Sequence, residues 1–167
     1  MRKHTFVATV AVAVLLLDQL SKWYIRSTLD LYASIPVIDA CFHVTHVRNA
    51  GGAFSLFADV GDTWRASFFL IASGLAIGAL LYFVRQVAPR QRWLLFALAS
   101  VLGGALGNLV DRLTTGMVTD FLDLHWRGYH WPAFNVADSF ITTGVVILLV
   151  HSLFAGSQSH VKAAKRG

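Results

Sequence analysis

The chain of 167 residues contains no glutamate, a single cysteine and little charge of either sign. One cysteine, Cys41, excludes an internal disulfide and any cysteine-rich metal site. Its neighbour His43 belongs to the same strand-like run, a poor arrangement for a thiol nucleophile. Charged residues make up 14% of the chain against 56% hydrophobic, with mean hydropathy +0.59, which excludes an ordinary soluble domain. Internal repeats are absent too, and the length suggests one domain.

What is present is an uneven distribution of charge. All nine acids are aspartates. Arg2, Lys3, Arg85, Arg90, Arg92, Lys162, Lys165 and Arg166 occupy segments without any acid, whereas the other six bases share the remaining chain with every Asp. The positive-inside rule predicts that asymmetry for a polytopic membrane protein. A nucleic-acid partner is not indicated, because the basic tails carry no interleaved aromatics.

A span needs about 20 apolar residues, and the runs 64–87, 93–113 and 134–155 qualify. The first run is interrupted: residues 6–17 are apolar, then Asp18, Gln19 and Lys22 intervene before Trp23, Tyr24 and Ile25. Arg2 and Lys3 ahead of a short apolar run also fit a cleaved leader. No small-residue cleavage site follows, so 5–27 is read as an uncleaved span. Four spans put both termini and the basic 85–92 turn on the cytoplasmic side, leaving 28–63 and 114–133 outside and 156–167 as a cytoplasmic tail. Within 28–63, the runs 34–39 and 42–48 are rich in Val, Ile, Thr and Phe and punctuated by Pro36, Asn49, Gly51 and Gly52, which predicts a small outer sheet. Only the last dozen residues look disordered.

Polar residues converge on one layer. At about 1.5 Å per residue, Asp18 lies about 20 Å above the inner end of span one, and Asn108 and Asp111 about 22 and 27 Å above that of span three. Asp138 lies about 6 Å below the outer end of span four. Asp18 and Lys22 share a helix face at a spacing suited to an ion pair. Asp111 and Arg112 cap span three either as a headgroup anchor or as a buried pair positioning a site. Gly103 and Gly107 have the spacing that lets helix backbones approach, with Asn108 adjacent. Asn135 is either the N-cap of span four or a site-positioning group. Trp126, Tyr129 and Trp131 suit interfacial anchors.

Asp120 ends a short extended run and Asp138 opens an apolar helix, so both carboxylates can meet at one membrane face, and such residues are functional-site candidates. Alternation in 118–126 points Asp120 and Asp123 oppositely. Two close aspartates cannot both ionise cheaply. One takes a proton from water while the other polarises a carbonyl, as in aspartic proteases; that chemistry requires no metal or cofactor. A Ser21–Lys22 hydrolase fails because adjacent helical residues do not face each other. His43 and His46 lie on opposite faces of a strand. His125 and His130 flank Gly128, but no third ligand has suitable sequence spacing, so no metal site is expected. A proton-coupled transporter is a rival, yet predicts acids near mid-bilayer. A non-enzymatic assembly factor, with aspartates gluing helices together, is another.

Five blocks then identify a resemblance: Leu17-Asp18-Gln19-Leu20-Ser21-Lys22, Asn49-Ala50-Gly51-Gly52-Ala53-Phe54, the run from Gly103 to Arg112, Val118-Thr119-Asp120-Phe121, and Phe134-Asn135-Val136-Ala137-Asp138-Ser139. Along nearly its whole length the chain resembles the bacterial lipoprotein signal peptidases (signal peptidase II). The resemblance implies an aspartyl endopeptidase of the inner membrane that cuts a lipid-modified prolipoprotein just before its diacylglyceryl cysteine and is inhibited by globomycin. It implies four spans, an outer sheet or cradle, and a short helix between spans one and two. Asp120 and Asp138 match the catalytic pair. Asp18, Lys22, Asn49, Gly51, Gly104, Asn108, Asp111, Arg112, Asn135 and Ala137 match the surrounding positions. Thr119 stands where an apolar residue is more usual. The loop from Phe54 to Asp62 is expected to clamp substrate against the pair.

Overall fold

All three prolines, Pro36, Pro89 and Pro132, fall outside the long apolar runs, and those runs become uninterrupted helices. A computed structural model of the chain describes residues 2–51 and 62–164. In order these form α1 (Lys3–Thr28), β1 (Ser34–Ile38), β2 (Phe42–Asn49), α2 (Asp62–Gln86), α3 (Arg92–Thr115), β3 (Val118–Trp126), β4 (Tyr129–His130) and α4 (Val136–Ala164). Lys3–Thr28, Trp64–Gln86, Arg92–Thr115 and Val136–Phe154 are each long and apolar enough to cross a membrane. Large apolar side chains such as Leu20, Ile71, Leu75 and Leu153 stand more than half exposed on their outer faces. A surface of that kind needs lipid rather than water around it.

The bundle is organised on α3, which packs against the other three helices. On α1 the buried positions are Val7, Ala11, Val14, Asp18, Lys22 and Ile25, a stripe at spacings of three and four. That stripe begins apolar and ends charged. Val7 and Ala11 at its apolar start join Val84, Leu95, Leu98, Ala99 and Leu102 in the core, so the polar half is carried toward the sheet-bearing end. Lys3 Nζ donates to the Arg85 carbonyl at 2.9 Å, which places the basic N-terminus and the basic α2–α3 turn together at the opposite end.

Small residues let the backbones touch. A Cβ on Gly103 would lie 2.6 Å from the Ala11 carbonyl oxygen on α1, and one on Gly104 would lie 2.5 Å from the Ala137 carbonyl oxygen on α4. α3 ends at Gly116, which has φ 75° and returns its N–H to the Arg112 carbonyl, a left-handed stop that glycine adopts without strain. The chain turns there directly into β3.

The four strands form one antiparallel sheet in the order β1-β2-β3-β4. Val44 pairs with Leu122 and Val47 with Asp120, so β2 carries one extra residue between these pairs. Such a bulge bends a strand and re-aims side chains. Phe134 pairs with Leu122 through backbone bonds in both directions, tying the segment before α4 to β3. The expected outer sheet therefore also recruits β3 and β4, from the second connection. The expected short helix, and most of the expected clamp from Phe54 to Asp62, lie outside the described residues. α4 continues as helix to Ala164, past residue 155 where the sequence suggested a tail.

Gly104→Ala is expected to push α4 from α3 and lower stability by about 1–3 kcal/mol, the usual cost of overpacking. Gly78, with nothing within 4 Å of its added Cβ, should accept alanine within about 0.5 kcal/mol. Thermal unfolding of both variants in one detergent measures the contrast.

Candidate active site

The first turn of any helix leaves backbone N–H groups without partners, and at α4 those groups organise the site. Asn135 Oδ1 accepts the Asp138 N–H at 2.9 Å, while Asp138 Oδ2 accepts the Asn135 N–H at 3.3 Å. This reciprocal arrangement is a capping box built from Asn and Asp. The next orphan, the Ala137 N–H, donates to Asp18 Oδ1 of α1 at 2.9 Å. Two carboxylates thus sit at the positive end of the α4 dipole. Ala137 is fully buried, and its small size lets Gly104 approach.

Lys22 sets the direction of the surrounding hydrogen bonds. Its ammonium, fully buried, meets Asp18 Oδ2 at 2.8 Å, Asp111 Oδ2 at 3.1 Å and Asn108 Oδ1 at 2.9 Å, satisfying all three of its protons. Because Asn108 must turn its oxygen to this cation, its amide nitrogen faces away and donates to Asp138 Oδ1 at 2.8 Å. Gln19 Nε2 bridges Asp18 Oδ2 and Asp111 Oδ1, each at 3.1 Å. Gly107 is required beside them, since a Cβ there would collide with Asp18 Oδ2.

Asp111 extends the network into the sheet. Its Oδ2 accepts the Thr119 N–H at 3.0 Å, and Arg26 joins Asp111 Oδ1 to the Thr119 hydroxyl. The hydroxyl at the position where an apolar residue is more usual therefore has a partner. β3 is held one residue before Asp120.

Asp120, 2% exposed, receives two amide donors. Asn135 Nδ2 reaches its Oδ1 at 2.6 Å and Asn49 Nδ2 reaches its Oδ2 at 3.0 Å. The Asn49 amide is oriented by its own oxygen, which accepts the Gly51 N–H at 2.9 Å. Gly51 has φ 91°, and a Cβ would overlap the Phe69 ring on α2, so only glycine fits. Burial pushes Asp120 up to about 6, and the neighbouring Asp138 charge adds to that rise, against the two amides. Asn135 is therefore the common holder of both candidate acids: its side chain on Asp120, its backbone and side chain on Asp138. Asn108 and Asn135 also bond to each other at 3.2 Å.

Arg112 lies over the Phe69 ring at 5.4 Å, donates to the Asn108 carbonyl and feels the charges of Asp138, Asp120 and Asp111. Asp138 is half-buried and faces a cavity of about 490 Å³ whose walls include Leu124, Trp131, Phe134 and Thr142. The cavity is mainly apolar with one carboxylate at its edge, a form suited to an apolar ligand whose polar atoms meet Asp138.

All twelve residues named from the sequence fall in this region. Asp111 is fully buried and bonded to Lys22 and the Thr119 N–H, and Asn135 caps α4 while its side chain also reaches Asp120. Gln19 and Arg26 were missed. Arg26 follows Lys22 by four, the same spacing that joins Lys22 to Asp18, which is the signal that would have found it. Asp123 points away from Asp120 and binds His130. Trp126, Tyr129 and Trp131 are exposed beside the sheet.

Four helices long and apolar enough to cross a membrane, a small sheet and a carboxylate pair held through shared amides define a polytopic membrane protein with a candidate acid pair at one end of its bundle. Residues 10–154 match the family described as Signal peptidase (SPase) II. The chain is 49% identical over 141 residues to a lipoprotein signal peptidase of Geobacter sulfurreducens, covering 84% of this chain and 87% of that protein. It is 47% identical over 145 residues to that of Desulforapulum autotrophicum, covering 87% and 90%. A solved bacterial membrane enzyme superposes with TM-score 0.81 at 34% identity, covering 91% of this chain and 90% of the other. The chain belongs to the signal peptidase II family.

Two outcomes are expected from the network. Lys22→Met leaves buried Asp18 without a cation and Asp111 with only the longer contact to Arg26, and should cost about 3–5 kcal/mol of stability, read from unfolding in detergent. Asp138→Asn removes a charge that raises Asp120, so the Asp120 midpoint should fall below about 6, followed by difference infrared spectroscopy against pH; a midpoint unmoved or higher contradicts the shared field.

Proposed function

We propose that the chain is an aspartyl endopeptidase that removes signal peptides from diacylglyceryl-modified prolipoproteins, cutting before the lipidated cysteine. Membership of the signal peptidase II family supports the substrate class. The observation that carries the chemistry is Asn135, which holds Asp120 and Asp138 together at the edge of an apolar cavity.

The shared proton is assigned to Asp120, which burial holds up to about 6. Asp138, turned toward the cavity, takes a proton from water, and the oxygen attacks the scissile carbonyl carbon. The Asp120 proton passes to the carbonyl oxygen, giving a tetrahedral diol. Collapse returns a proton to the amide nitrogen through the pair, the C–N bond breaks, and a carboxyl and an amine leave. Arg112 faces both acids and offsets their charge. The acyl chains and signal helix arrive laterally from lipid into the cavity.

The orientation follows the charge pattern. The basic termini and the α2–α3 turn lie in the cytoplasm of a bacterial inner membrane, and the sheet with the aspartates meets the outer face. Trp126, Tyr129 and Trp131 sit at that interface. Membrane lipids and globomycin-type inhibitors are the further expected partners.

Asp120→Asn and Asp138→Asn are expected to fold, bind lipidated precursor and cleave it at least about 10²-fold more slowly, the scale of general acid–base catalysis. Folding is expected because Asp120 is raised from 3.8 in the folded state, so its charge becomes a destabilising contribution as pH rises from 3.8 to about 6. A neutral Asn removes it. Cleavage of a diacylglyceryl-modified precursor by purified enzyme, with folding checked by circular dichroism, is the assay. Either variant cutting at the parent rate overturns the dyad.

A further inference from the structure

On the opposite face of β3 from Asp120, three strands bring four metal-ligating side chains together. His43 of β2 lies directly opposite Asp123 of β3, and His125, two residues on, shares its face. The two-residue turn at Arg127 and Gly128, both with positive φ, folds β4 back so that His130 pairs with His125. The rings of His43 and His125 are 4.2 Å apart, and those of His125 and His130 stack at 4.7 Å.

His43, Asp123 and His125 each offer one ligand atom, and these atoms all lie within 4.8 Å of one another. Bonds of about 2.0–2.1 Å in tetrahedral geometry separate ligand atoms by about 3.4 Å, so side-chain rotation is enough to close the set. A second observation points to the same place. His125 Nδ1 is buried and has no hydrogen-bond partner among the described residues, an unsatisfied atom of the kind an ion would relieve. His130 Nδ1 already contacts both Asp123 oxygens, at 2.9 and 3.1 Å, the outer support that ligating carboxylates use.

We propose that His43, Asp123 and His125 form a binding site for a divalent first-row transition ion of the zinc class, with His130 orienting Asp123. Two imidazoles and one carboxylate suit such an ion and leave a coordination position open. The ion would clamp β2 to β3, the strands that carry Asn49 and Asp120. It lies outside the aspartate pair, so its occupancy does not depend on the proteolytic reading.

The experiment uses full-length, tag-free protein in detergent, stripped with chelator and titrated with Zn²⁺ alone by calorimetry. One equivalent per chain is expected, with a rise in Tm on addition. Asp123→Asn and the double variant His43→Ala/His125→Ala should lose both responses while keeping the metal-free Tm. His130→Ala should bind about 10- to 100-fold more weakly. Asp120→Asn and His4→Ala/His151→Ala should bind as the parent does, and binding that tracks Asp120 would contradict the assignment. No stoichiometric binding by the parent, or parent-like binding by the His43/His125 double variant, overturns the site.

Discussion

A single buried ammonium, Lys22, governs the polarity of the site. Placed between Asp18, Asp111 and Asn108, it neutralises acids that could not remain charged unpaired in a low-dielectric interior. It also obliges Asn108 to present its nitrogen to Asp138. From that one constraint the amide of Asn135 inherits its direction, and so does the donor that reaches Asp120. An amide can point either way, and a fixed cation removes the choice.

Around this constraint the molecule uses helix ends as construction material. The N-terminus of α4 supplies oriented N–H groups, and side chains from α1 and from α4 itself occupy them. The close contact at Gly104 and Ala137 holds that N-terminus against α3, where Asn108 lies one turn further along. β3 delivers Asp120 through a bulged ladder whose start is gripped by Asp111 and Arg26. Burial of Asp120 is unfavourable for its charge, a local cost of the kind that marks candidate functional sites, and the rest of the bundle stabilises the fold that bears it.

The two faces of the sheet carry different polar groups. One face turns Asp120 to Asn135 and the helix bundle. The other gathers the imidazoles of His43 and His125 beside Asp123. Strand pairing couples the faces, because a change in β2–β3 register at His43 and Asp123 is transmitted to the pairing of Val47 with Asp120.

Much was legible in the chain itself. Four apolar runs free of proline are helices because nothing interrupts their backbone ladders, and the basic N-terminus meets the basic α2–α3 turn at one end. Helical rise placed Asp18, Asn108, Asp111 and Asp138 in one layer, and three-four spacing paired Asp18 with Lys22. Distance along a helix depends on covalent geometry alone, so these inferences needed no partner. Tertiary packing decided what depends on partners: that Asn135 serves both acids, that Arg26 and Gln19 join the network, and that Asp111 is buried. It also decided that His43 meets His125, since strand register and turn geometry are set between segments far apart in the chain. Sequence spacing carries no record of such cross-strand neighbours.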